Sequence, residues 1–153
     1  MTGTVQEYLA QATKKAAEAL LVAFDRIPED KQNWSPMGAR SAVDQLAECA
    51  MLSGGAGDII SGKLDLKNFD MVKFEEAKTE LCKNVNAMKQ LLQTNVGHAI
   101  KTIEETQTSD LDKMHDMPWG PMNRQDLIGY AYWNLSYHEG QINYIAKMLE
   151  NPS

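Results

Sequence analysis

The stretch DLIGYAYWNLSYHEGQINYIAKML, residues 126–149, leaves this chain little choice of fold. At 100° per residue Leu127, Ala131, Asn134, Leu135, His138, Ile142, Ile145 and Leu149 fall within about 60° of one line, which predicts a long helix burying one face. That line is apolar except at Asn134 and His138, which are four residues apart and stack one turn apart on the inward side, with Gln141 a further turn along. An unpaired amide or imidazole in an apolar core costs about 1–3 kcal/mol, so other segments must bring partners to meet them.

Three more helical patterns precede it. Residues 4–27 form the first, opened by the capping box of Thr4 and Glu7 and stopped by Pro28. After the loop DKQNWSPMGAR, Ser41 with Asp44 starts the second, whose apolar face is Ala42, Leu46, Cys49 and Leu52, with Glu48 on its shoulder. The glycines Gly54 and Gly55 end it. Residues 72–106 carry apolar side chains at helical spacing throughout and read as one third helix, weakened at Gly97. The segment TSDLDKMHDMPWGPMN reads as a loop leading to the last helix, with Asn123 as its N-cap. Gly57, Gly62 and Lys63 imitate a phosphate-binding loop, but Leu64 stands where a magnesium-holding hydroxyl belongs and no strand precedes it. His98 and His115 receive no role.

The reading is therefore one all-α domain, residues 1–153, as a four-helix bundle with connections long enough to cross over. A net charge of −6 and the lack of a basic stripe with interleaved aromatics exclude nucleic acid as the main partner. No run reaches the roughly 18 apolar residues of a membrane span, and neither cysteine, Cys49 or Cys82, belongs to a C-x-x-C pair, so the expected setting is the cytoplasm, without a membrane. Tyr130, Trp133, Tyr137 and Tyr144 form a stripe about 100° round the last helix from His138. It suits either core packing or a homodimer interface, for which Tyr137 and Tyr144 are the candidates. Gly140 in the same helix suggests a close backbone approach.

Trp34 ahead of a Pro/Gly loop, then SAVDQLAEC, PWGPMNRQDL and YHEGQINYIAKML, together resemble the DinB-like superfamily of four-helix bundles. The resemblance implies up-down-down-up topology, a homodimer, and a pocket at one end of the bundle where three histidines hold zinc or nickel. It also implies chemistry of the family's kind: thiol S-transfer with a low-molecular-weight thiol, or metal-dependent hydrolysis. Carried over, the metal triad lands on Glu48, Asn134 and His138, and the pocket walls on Trp34, Trp119 and Gln141. Only His138 is still histidine. A glutamate is an acceptable zinc ligand beside histidines, but an amide oxygen is a weak neutral donor. Two readings follow. In one, the degenerate triad lines a metal-free or weakly metal-binding small-molecule pocket, with Glu48 accepting from His138. In the other, Glu48 and His138 anchor a divalent metal in a transferase or hydrolase.

Overall fold

The principal helices begin on side chains that satisfy the otherwise orphaned N–H groups of a first turn. The computed structural model describes residues 3–151. Helix α1, Val5–Asp25, opens on the reciprocal box: Thr4 Oγ1 accepts from Glu7 N–H at 3.1 Å and the Glu7 carboxylate accepts from Thr4 N–H at 2.8 Å. Ser41 caps α2, Ala42–Leu52, by accepting from Asp44 N–H, and Asp70 caps α4, Met71–Leu81. Asn123 Oδ1 accepts from Asp126 N–H at 2.8 Å to start α6, Arg124–Glu150. The short α3, Gly55–Ile60, follows α2 almost directly.

Two sequence expectations need correction here. The continuous helix over residues 72–106 is two helices, α4 and α5, the latter Val85–Glu105. Asn84 lies between them with extended backbone, and its Oδ1 accepts from Ala87 N–H at 3.0 Å. The side chain takes the N–H that the preceding turn would otherwise bond, and so restarts the helix. The apolar spacing carries across the break at Leu81, Val85 and Met88, which is why periodicity alone hides it. Helix α5 then runs through Gly97 without interruption.

The second correction is the presumed loop before α6. It contains an antiparallel hairpin, β1 at Met114–Met117 and β2 at Gly120–Asn123, joined by the two-residue turn of Pro118 and Trp119. Gly120, at φ +117°, takes a backbone conformation that a side chain would resist. The strands lack β-branched residues, and Pro121 pairs with Asp116 inside the ladder, so sequence carries no strand signal. The hairpin is tied to the head of α6 instead. Arg124 Nε donates to His115 Nε2 at 3.1 Å, its Nη1 pairs with Asp110 Oδ2 at 3.2 Å, and its backbone N–H donates to Lys113 O at 2.8 Å.

The described residues are all-α apart from this hairpin, and no helix among them is long and apolar enough to cross a membrane. α1 and α2 each pack against both α5 and α6. The main core joins Phe24 and Leu20 of α1, Leu46 of α2, Leu92 of α5 and Leu135 and Ile142 of α6, all with no more than a trace of exposure. Full burial of such a side chain stabilises by about 1.5–3 kcal/mol. Smaller clusters seat the hairpin and α3: Leu111 against Leu9 and Ile128, and Met117 against Ala56 and Leu127. Gly57 faces α5 so closely that a Cβ there would lie 2.5 Å from His98 Nε2 and from Thr102 Oγ1, so the glycine of the false phosphate loop serves helix packing.

The predicted inward line of α6 is buried except at its end, where Leu149 is half-buried. Leu127, Ala131, Asn134, Leu135, His138, Ile142 and Ile145 are all buried. The aromatic stripe divides: Tyr130 is half-buried, but Trp133, Tyr137 and Tyr144 are exposed at 57%, 52% and 69%, which removes core packing as the account of those three.

Candidate functional site

The polar residues of α6 meet α2. Gln45, Glu48 and Cys49 occupy successive inward and shoulder positions of α2, and their side chains reach the two polar residues of the α6 face. His138 Nε2 lies 3.2 Å from Glu48 Oε1, and His138 Nδ1 lies 2.8 Å from Gln45 Oε1. Both ring nitrogens thus face oxygens, so a ring carrying two protons donates twice and a ring carrying one donates once. The Gln45 amide is oriented for this role, because its Nε2 donates to the backbone carbonyl of Arg40 at 3.3 Å. Asn134 sits one turn earlier, with Nδ2 directed at Cys49 Sγ, 3.9 Å away. Glu48 and His138 are thus in contact between the two helices, with Asn134 one turn away against Cys49.

A residue absent from the sequence expectation completes the cluster. Arg40, just before the cap of α2, places Nη2 2.7 Å from Glu48 Oε2 and donates from Nε to Asp44 Oδ2. Lys78 of α4, almost fully buried, lies 3.2 Å from Asp44 Oδ1 and 2.9 Å from Glu75 Oε2, which ties α4 onto the same network. Arg40, Asp44 and Glu48 are spaced by four, so a column of one base over two acids was readable on the helix face. Gln45 carried a weaker signal, as a polar residue four before Cys49 on the inward side.

These contacts bear directly on metal binding. A zinc or nickel ion takes the lone pair of an imidazole nitrogen and an oxygen of a free carboxylate. Here Glu48 is shared between the guanidinium of Arg40 and Nε2 of His138, whose Nδ1–H donates to Gln45, and Asn134 turns its amide nitrogen toward sulfur. Among the described residues no group of three His, Cys, Asp or Glu side chains is gathered to hold an ion. The arrangement does not fit a divalent cation, because the positive partner of Glu48 is already supplied by the chain. The same contacts shape the proton chemistry. The hydrogen bond from His138, joined by Arg40 and opposed by burial, holds the Glu48 carboxyl down at about 2. Burial pushes the Cys49 thiol up, so it stays protonated.

Beside the cluster lies an open groove of about 980 Å³, walled by Trp34, Tyr137, Gln141 and Tyr144 and reached from below by Arg40 and Gln45. Trp34 and Gln141 are brought together as the sequence expectation required. Trp119 is not: it sits at the hairpin tip and lines a separate groove of about 680 Å³. Gly140 also lines the first groove, and a Cβ there meets nothing within 4 Å, so the expected close backbone approach at Gly140 is absent. Met37 at the groove mouth is fully exposed in left-handed backbone, φ 49° and ψ 35°, a strained state for a side-chain-bearing residue.

The carboxylate predicts an acid limb in the stability curve. Glu48 is held at about 2 against an ordinary 4.5, so the unfolded chain binds its proton first and stability falls with decreasing pH across that interval. The contribution is complete above about pH 5 and lost by about pH 2. With water reaching a side chain that is 20% exposed, it amounts to about 2 kcal/mol. Urea unfolding of the parent and of Glu48→Gln between these limits should show a shallower slope in the variant, the remainder coming from other lowered carboxylates such as Asp110 and Glu150.

No family model matches the chain, and no curated protein matches it. Among solved structures it is similar to a protein from Streptococcus pneumoniae at 16% identity and a TM-score of 0.66, covering 98% of this chain and 92% of that one. It is equally similar to an uncharacterised protein from Clostridium difficile, at 16% identity and a TM-score of 0.66, covering 98% of both chains. At this identity the likeness speaks for the fold alone.

Proposed function

We propose that this chain is a DinB-like four-helix bundle of up-down-down-up topology, built from α1, α2, α5 and α6, in which an internal ion pair stands where relatives hold a metal. The groove above it binds a small uncharged molecule. The observation that carries this reading is the 2.7 Å contact of Arg40 with Glu48, made by a carboxylate that also accepts from His138. Arg40 and Lys78 together offset the two carboxylates Asp44 and Glu48, so the floor offers a bound molecule hydrogen-bonding groups but little net charge. The groove walls are aromatic and sulfur-bearing, from Trp34, Tyr137, Tyr144, Met37 and Met148, and the amides of Gln45 and Gln141 are its neutral polar groups. This composition favours a planar molecule with an amide-like edge. Gly140 supports it, since glycine in a helix interior costs about 1 kcal/mol and nothing packs against this one.

The same geometry weighs against a metal-dependent transferase or hydrolase, which needs the Glu48 lone pairs that Arg40 engages. The unpaired cysteines, Cys49 and Cys82, suit a reducing cytoplasm. A specific observation favours a homodimer as well: Tyr137 and Tyr144 are exposed two turns apart on one face of α6, where tyrosines suit an interface and a second copy would roof the groove.

Two measurements separate these claims. Saturation-transfer NMR with benzamide as the probe should give a signal with the parent that Gly140→Leu, which fills the groove from a good helix former, removes; equal signals from both chains would sink the groove reading. In sedimentation, Tyr137→Glu should convert a dimeric parent to monomers, whereas an unchanged mass would remove Tyr137 from any interface.

A further inference from the structure

Trp119 and its neighbours belong to neither feature described so far. The hairpin tip, the start of α1 and the N-terminal half of α6 enclose the second groove, about 680 Å³ in volume. Tyr8, Trp119, Tyr130 and Trp133 line it, and three of them are more than half exposed: Tyr8 at 62%, Trp119 at 65% and Trp133 at 57%. Three of the rings have aromatic neighbours, and Trp133 stacks on Tyr137 at 5.6 Å and 22°. Tyr130 and Trp133 lie with centroids 5.6 Å apart at 42°, and Tyr8 meets Tyr132 edge-on at 6.4 Å. Large aromatic rings left facing water around one hollow forgo the burial that usually stabilises them.

The groove's charge is one-sided. Among the described residues Asp126 is the one charged residue that lines it, and its carboxylate is there in no ion pair or hydrogen bond. Its position in the first turn of α6 complements the helix dipole, which accounts for an acid there but not for the aromatic walls around it. Gly129 lies on the groove floor. A Cβ at Gly129 would meet only the two methyls of Leu9, at an ordinary 3.7 and 4.0 Å, so packing does not demand glycine, and Gly129 itself lines the hollow.

We propose that this second groove binds a quaternary or methylated ammonium group, with the faces of Tyr8, Trp119, Tyr130 and Trp133 around the cation and Asp126 as its counter-ion. Ring faces carry the negative part of the aromatic quadrupole and attract a cation at close range. Alkylation suits the site better than a bare ammonium, because a weakly hydrated cation gives up little water to enter and brings no set of N–H groups that would need acceptors.

The proposal is tested with choline and its uncharged carbon isostere, neohexyl alcohol, by following the indole N–H signals of the full-length protein. Choline should shift the Trp119 and Trp133 indole signals, while neohexyl alcohol binds about tenfold more weakly. Asp126→Asn should weaken choline by roughly fivefold to tenfold without changing the weak binding of the alcohol. Gly129→Leu, with a residue of better helix propensity, should abolish the choline shift while leaving the helical circular dichroism intact. Absence of indole shifts with choline at tens of millimolar overturns the assignment, and so does equal binding of choline and the alcohol.

Discussion

The Glu48 carboxylate, held between Arg40 and His138, is the interaction on which the rest of the site depends. It resolves the difficulty posed by the polar residues on the buried face of α6, since an imidazole and an amide turned inward must find partners. α2 supplies them through Gln45, Glu48 and Cys49, and Arg40 supplies the charge that lets a carboxylate remain ionised there. His138 is buried and has Glu48 and Gln45 as its partners, so the cluster is a constraint on how α2 and α6 register, and through Lys78 on how α4 lies across α2.

From that constraint the functional surfaces follow. With α2 and α6 locked, the loop carrying Trp34 and Met37 and the exposed face of α6 are left to form an open groove above a charge-balanced floor. At the other end of the same α6 face, the hairpin clamped by Arg124 to His115 and Asp110 brings Trp119 beside Trp133. The two hollows differ in character. One has amides and a neutralised guanidinium, and the other has an uncompensated carboxylate among aromatic rings.

Much of this was legible in the residues. The caps at Thr4, Ser41 and Asn123 and the inward line of α6 obey local rules, and the meeting of Glu48 and His138 follows from the family resemblance together with those helix faces. The break at Asn84 was hidden because apolar spacing continues across it, and the hairpin because its strands contain methionine, proline and glycine and are held by Arg124 from outside. Trp119 was misplaced for the same reason: where a hairpin tip points is set by tertiary anchors and not by the turn's own sequence. Arg40 was the most consequential omission. It precedes its helix, so it fell in the loop when the faces were read, although its spacing of four from Asp44 and Glu48 carried the signal.

The central claim is that Arg40 holds the place of a cation on Glu48, and calorimetric titration of zinc into the metal-stripped protein at neutral pH, with His138→Ala alongside, tests it most directly. The account predicts no site-specific heat in the parent beyond that of the variant, with any zinc affinity weaker than a dissociation constant of about 0.1 mM. Stoichiometric zinc binding at or below about 1 μM that disappears in His138→Ala would contradict it.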